Sequence, residues 1–354
     1  MKKYKILNYI IQTQFGGNSL QVRQHRNNKN ITNVKKCIKF ITNNKVITKE
    51  IGKGSQGQIY IVENNKCGTI VIKHFNKSDT FNKELKALNI IKTLIINNTC
   101  PNFIMLYGSD KIKNNVYLEY IDNDIKHLYN NFLTPINSET CKSLIFQILY
   151  GLLCQYELCN IKHNDTQMIN IFVKFINTKS VFCYTINAIK YYVPTYGNLF
   201  MLGDYGCSTF VKESKQKIPN PDFNSFLNNI LFVFTRKLYE DDNINTIDKL
   251  YNIVPKDVMF RNNINYDELL DEKNKNKKNA SISDVTRKTI RKIMVICIKL
   301  KLFDYKKYFI NYNFIDIILE ILEYDNIPDV FKNLCNFYSS DDIDEITEFT
   351  EVII

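Results

Sequence analysis

Tryptophan is absent from this chain of 354 residues, and glycine (11), proline (7) and histidine (4) are scarce. So few histidines, with ten cysteines that form no CxxC pair, argue against a zinc site. The cysteines read instead as small buried hydrophobes of a reducing compartment. No apolar run approaches the ~20 residues of a membrane-spanning helix; stretches such as Ile230–Phe234 and Ile293–Ile298 are short. The apolar stretch near the N-terminus is broken by Asn8 and Gln12 and makes a poor secretory signal. These absences predict a soluble, intracellular protein with no membrane partner. Hydrophobic residues make up 45% and charged residues 23%, which excludes a wholly disordered chain. The formal charge is 47 − 36 = +11. In a chain crowded with Asn, Ile and Lys this excess reflects an AT-rich codon bias as readily as a nucleic-acid partner, and no aromatic–basic stacking motif indicates one.

The pattern along the chain changes twice. Residues 1–20 read as a short helix stopped by Gly16-Gly17, and 21–45 as a loosely ordered arm. From Val46, strands are expected at Ile47–Ile51, Gln58–Glu63 and Thr69–His74, a helix at Phe81–Ile95, and strands at Phe103–Tyr107 and Val116–Ile121. After Asn137 helices dominate: a long one from Ser138 to about Cys159, then Asp222–Tyr239, Val285–Leu302, Tyr308–Tyr324 and Asp329–Tyr338. Strands at Ile169–Phe175, Val181–Tyr184 and Ala188–Val193 interrupt them, and Glu272–Asn279 reads as a polar loop. Residues 341–351 hold six acids and no base, a solvated tail. A β-rich part followed by a helical part predicts a ligand cleft between the two.

Four segments carry chemistry. In Gly52-Lys53-Gly54-Ser55-Gln56-Gly57 the glycines have GxGxxG spacing between two expected strands. Bare backbone there lets N–H groups approach a phosphate, although a hairpin turn has the same composition. A dinucleotide turn would open a helix, whereas Gln58–Val62 alternates as a strand. Lys73 ends the apolar strand Thr69–Lys73, where its ammonium could reach phosphates under the loop; Glu84, 11 residues on, is the leading carboxylate to fix it, with Asp79 nearer in sequence. In His163-Asn164-Asp165-Thr166-Gln167-Met168-Ile169-Asn170, Asp165 could take a proton from a hydroxyl and Asn170 could offer oxygen to Mg²⁺, although an Asx-rich turn reads the same way. Asp204 in Gly203-Asp204-Tyr205-Gly206 ends a strand where a metal could sit.

Taken together, the order and spacing of glycine loop, Lys, helical Glu, HxDxxxxN and DxG resemble a eukaryotic-type protein kinase. The resemblance covers residues 46–240 well and the rest loosely. It implies an α+β, bilobal fold: an N-terminal extension (1–45), a small β-rich N-lobe with one key helix (46–121), a larger helical C-lobe (122–340) and an acidic tail (341–354). It further implies ATP and Mg²⁺ as cofactors and a protein as substrate. Gly52, Lys53, Gly54, Ser55, Gly57 and Ile59 would cover the nucleotide. Lys73 would orient the α- and β-phosphates, held by Glu84. Asp165 would be the catalytic base, and Asn170 and Asp204 the metal ligands. Leu118 would be the gatekeeper, the backbones of Glu119 and Ile121 would bind adenine, and Asp222 would brace the catalytic loop.

The departures from the family pattern are specific. Asn164 replaces the Arg that commonly clamps an activation-loop phosphate, Gln167 replaces a Lys, and Tyr205 replaces the Phe of DxG. Only 17 residues separate Asp204 from Asp222, with no Ala-Pro-Glu between them. A long link over 176–201 precedes Asp204. These traits resemble the divergent serine/threonine kinases of large DNA viruses, which implies a host cytoplasm or virion setting. The expected activity is Ser/Thr-directed protein phosphorylation; a nucleotide-binding pseudokinase and a small-molecule kinase are the alternatives.

Overall fold

A computed structural model describes residues 48–54, 56–64, 68–121, 123–128, 136–176, 180–186, 189–211, 222–230 and 312–322. It also describes 11–14, 351–353 and single positions at 35, 36, 38, 39, 41, 331 and 334. The expected helix at Val285–Leu302, the loop at Glu272–Asn279 and most of the helix beyond 230 lie outside the described residues.

Two compact parts divide the chain. The first comprises Met1–Leu128, Ser138–Ser225 and Tyr324–Ile354. Its opening sheet is antiparallel, with strands β2 (Lys49–Gly54), β3 (Gly57–Asn64), β4 (Gly68–Phe75), β5 (Leu106–Asp110) and β6 (Asn115–Glu119) in the order β2-β3-β4-β6-β5. Helix α1 (Ser78–Ile96) crosses from β4 to β5. Asp79 sits in its first turn, where a negative charge suits the helix dipole. Phe81, Leu85, Leu88, Ile91 and Ile95 are buried at helical spacing, and Glu84 lies on the same face as Leu88. A carboxylate is thereby turned inward, towards the sheet.

Helix α3 (Ser138–Cys159) follows the short β7 (Asn123–Asp124) and α2 (Ile125–Leu128). It is buried almost all round from Thr140 to Gln155, so it acts as a central post rather than a surface helix. Around it lie β8 (Ile161–Lys162), β9 (Ile171–Phe175), β12 (Asn198–Leu202) and β13 (Thr209–Phe210). Strands β9 and β12 pair with Ile171 opposite Leu202, and β8 pairs with β13. That register brings Asn170 and Gly203 together, with a 3.0 Å bond from Gly203 N to Asn170 O.

The long link over 176–201 is a second hairpin. Strands β10 (Ser180–Ile186) and β11 (Ile189–Pro194) pair in register from Val181–Pro194 to Ile186–Ile189. Tyr184 and Tyr191 pack on Phe146 of α3, with ring centroids at 5.1 and 5.9 Å. Gln147 stitches the post to β12: its carbonyl accepts from Phe200 N (3.0 Å) and Asn102 Nδ2 (3.1 Å), and its amide donates to Asn198 O (3.1 Å).

Three local expectations differ. Phe103–Tyr107 is not a continuous strand; β5 starts at Leu106, because the backbone of Asn102 and Ile104 is bonded to Leu202 instead. The N-terminal stretch holds a strand, β1 (Ile11–Gln14), paired with Cys183–Ile186, where a ladder partner prevails over local helix preference. The acidic tail ends in a further strand, β14 (Glu351–Ile353), parallel to Ser180–Phe182, where backbone pairing takes the place of the expected solvation.

The second part comprises Tyr129–Asn137 and Phe226–Glu323. Its described residues include most of helix α4 (222–230), which begins in the first part, and α5 (Tyr312–Leu322), with Ile315, Ile318 and Ile321 buried.

Candidate active site

Lys73 projects from β4 and is only 8% exposed. Its Nζ donates to both carboxylate oxygens of Glu84, at 2.9 and 2.8 Å, and to Asp204 Oδ1 at 2.7 Å. One ammonium therefore joins the sheet, α1 and the end of β12. Burial lowers the Lys73 pKa, but the charges of Glu84 and then Asp204 outweigh it and raise it above its usual value. Burial pushes Glu84 up to about 7 against the opposing pull of Lys73. The ammonium is thus the member that stays charged, and Glu84 is the member near its titration point. Burial also works against the Asp204 charge, yet Lys73 holds that carboxyl below the usual range.

Asp204 has a left-handed backbone (φ 59°), a conformation that an L residue holds only when its surroundings fix it. Gly206 N bonds back to Asp204 Oδ1 at 3.3 Å. Gly203 is closely packed: a Cβ there would lie 2.6 Å from Ile104 Cδ1 and 2.8 Å from the Phe172 ring, so those side chains would have to shift to admit one. Gln56, from the glycine loop, leans onto Gly206: a Cβ there would be 2.2 Å from Gln56 Oε1, a buried oxygen with no donor.

The loop from His163 to Asn170 hangs on Asp222. His163 N donates to Asp222 Oδ2 (2.6 Å) and Asn164 N to Oδ1 (2.9 Å). The His163 ring is wholly buried, and that burial lowers its pKa, so it is neutral with Nε2–H donating to Gly203 O at 3.0 Å. Asp165 follows, partly exposed. Asn170 Nδ2 donates to Asp165 O at 3.0 Å, which turns the Asn170 side-chain oxygen away from that bond. The glycine loop closes between β2 and β3 with Gly54 opposite Gly57, and Ile59 lies opposite Lys73. A Cβ on Gly57 would lie 1.8 Å from His74 O, whereas nothing lies within 4 Å of one on Gly54. Packing thus demands Gly57 but not Gly54.

A family model described as "Protein kinase domain" matches residues 45–327. The chain belongs to the protein kinase family. A probable serine/threonine-protein kinase of Invertebrate iridescent virus 6 is 27% identical over 229 residues, covering 53% of this chain and 41% of the relative. A probable serine/threonine-protein kinase of Dictyostelium discoideum is 30% identical over 132 residues, covering 35% and 28%. The chain's matches therefore span less than half the length of these relatives.

Within this kinase domain, Lys73, Glu84 and Asp204 meet directly, and the Asp165–Asn170 loop reaches the end of β12 through Gly203. Asp79 stays in the exposed first turn of α1 and takes no part. At the expected hinge, Glu119 N donates to Met105 O at 2.9 Å, while its buried carboxylate accepts from Lys174 of β9 at 2.7 Å. Ile121 follows, half-buried. Lys174 escaped sequence reasoning because nothing in a strand lysine indicates a partner 55 residues away. Asn164 makes structural bonds of its own, from Nδ2 to Cys207 O (3.1 Å) and Thr209 Oγ1 (2.9 Å). It fixes the start of the segment after DxG by direct bonds, without a phosphate. Lys86 of α1 lies over the Phe210 ring at 4.2 Å and secures the same segment. Gln155 also escaped sequence reasoning, because its partners Tyr205 and Asp222 lie 50 and 67 residues away along the chain.

Among the described residues, no three His, Cys, Asp or Glu side chains gather as a metal cage. Two oxygen-bearing side chains, Asn170 and Asp204, nevertheless suit Mg²⁺, which commonly binds one or two protein groups together with substrate phosphates. No described helix is long and apolar enough to cross a membrane.

Proposed function

We propose that this chain transfers the γ-phosphoryl group of ATP, with Mg²⁺, to Ser or Thr hydroxyls of protein substrates. The observation that carries the reading is the three-way contact of Lys73 with Glu84 and Asp204. In phosphoryl transfer a protein supplies mainly positioning and charge, and this contact assembles both. The names of the two relatives support the Ser/Thr assignment.

Mg²⁺·ATP, when bound, supplies the phosphoryl group and neutralises its charge. Asn170 and Asp204 are the residues that would hold the metal. Lys73, kept in place by Glu84, orients the phosphates. Gly52, Lys53, Gly54, Gly57 and Ile59 would cover the nucleotide, together with Ser55, which lies outside the described residues, and the backbones of Glu119 and Ile121 would bind its adenine. Asp165 accepts the hydroxyl proton. The N-lobe spans 46–121 and the C-lobe 122–340. The viral relative fits a setting in host cytoplasm or virion.

The test is label transfer from γ-labelled ATP to casein. Asp165→Asn is expected to keep ATP binding but lose about 10²-fold or more of kcat, the usual scale of acid–base assistance. Equal transfer by the mutant would remove Asp165 from the role. Asp204→Ala should abolish transfer; if it does not, the metal assignment fails.

A further inference from the structure

We propose that Gln155 is a positioning residue that couples the metal-side turn to the base-carrying loop through the hydroxyl of Tyr205; this rests on the kinase reading above. Gln155 lies on α3 and is fully buried. Its side-chain carbonyl accepts from Tyr205 Oη at 3.0 Å, and its amide donates to Asp222 Oδ2 at 3.5 Å. The same Asp222 carboxylate accepts the backbone N–H groups of His163 and Asn164. Tyr205 directly follows Asp204, and Asn164 directly precedes Asp165. One amide thus spans the two sides of the chemistry.

The Tyr205 ring alone does not account for this arrangement. It packs on His163 with centroids 4.7 Å apart, and a phenylalanine would fill the same space. The hydroxyl adds a buried donor, and Gln155 is the acceptor that meets it. Without that donor the Gln155 carbonyl would be a buried acceptor left unpaired, the costly case for a polar group. The coupling matters because Asp204 is held in a left-handed conformation. A turn in that state needs anchors on both sides. Lys73 and Gly206 N grip the carboxylate, and the Tyr205 hydroxyl grips the next residue. Releasing it lets the turn populate other conformations and lowers the fraction of molecules with Asp204 in place.

The experiment uses the full chain with Tyr205→Phe, Gln155→Leu and the double variant. Three quantities are read: kcat and KM for ATP with casein, Mn²⁺ binding in the presence of ADP by electron paramagnetic resonance, and urea stability. Each single variant is expected to lower kcat roughly tenfold and weaken Mn²⁺ binding several-fold, with KM for ATP nearly unchanged. The double variant should be no worse than the weaker single, because both remove one linkage. Tyr205→Phe keeps the ring and the fold, so the test stands even if Gln155→Leu does not fold. Unchanged kcat and Mn²⁺ affinity, with only stability reduced, would make the contact structural and overturn the proposal. Losses that multiply in the double variant would overturn it as well. If the wild type transfers no label, the activity reading fails on its own, and Mn²⁺·ADP binding still decides the coupling.

Discussion

At the scale of single residues, the Lys73–Glu84–Asp204 contact sets a pH dependence whose sign can be worked out. Glu84 has a folded-state pKa near 7, above its ordinary value of 4.5. Between these values the folded chain holds a proton that the unfolded chain has released, so stability falls as pH rises through that window. This contribution is present below pH 4.5 and lost above about 7. Glu84→Gln carries no such proton, so the stability of wild type relative to the variant should fall by on the order of 2–3 kcal/mol from about pH 4.5 to 7.5. Urea titrations at several pH values measure it, and parallel curves would refute the assignment. Activity should run the other way. Below about pH 7 a protonated Glu84 grips Lys73 less firmly, so kcat/KM should fall on the acid side. Lys73→Met should cost about 10²-fold in kcat/KM while leaving a folded protein, since a misplaced phosphate loses the gain from positioning. Unchanged kinetics would remove Lys73 from the site.

At the scale of elements, much of this arrangement was legible in the chain. The helix expected from Phe81 carries Glu84 and leaves Asp79 in the loop before it; α1 in fact starts at Ser78, so Asp79 sits in its exposed first turn, while Glu84 shares the buried face of Leu88. The glycine loop was read from spacing and the strand pattern that follows it, and β2 and β3 bear that out. The structure separates the roles of its glycines. Gly57→Ala puts a Cβ 1.8 Å from His74 O and should cost roughly 3 kcal/mol or more by forcing β3 and β4 apart. Gly54→Ala meets nothing within 4 Å and should change stability by less than about 1 kcal/mol. Chemical denaturation of the two variants tests the contrast directly. The start of β5 was misread because Phe103–Tyr107 is apolar throughout, and its backbone partners lie far along the chain on β12. Gln155, Gln56 and Lys174 were illegible as site residues for the same reason. Each acts through a contact with a distant segment, and local periodicity does not report such contacts.

At the scale of the whole molecule, the long link over 176–201 proved to be built structure. The register of β9 and β12 survives the excursion, so Asn170 and Gly203 still meet at the end of the pair. An insertion between paired strands costs little in loop-closure entropy, since that cost grows only slowly with length. The hairpin is fixed to α3 by a cluster of Phe146, Tyr150, Tyr184 and Tyr191. Phe331, far along the chain, joins that cluster with its ring 4.9 Å from Phe146 and is fully buried. Phe331→Ala should therefore cost about 3–5 kcal/mol. A midpoint in urea equal to wild type would show that the late segment does not support the first part. No local pattern in the sequence foretold that a residue at 331 would pack against one at 146.

The cation over Phe210 has an optical consequence. The chain has 22 tyrosines and no tryptophan, so excitation beyond the red edge of the tyrosine band finds no native emitter. Phe210→Trp would place a sole fluorophore beneath Lys86, whose ammonium lies 4.2 Å from the present ring. Indole is the ring that cations favour most, so the contact should be kept. Its emission would report, in real time and without any label, whether the segment beyond Gly206 is seated on α1.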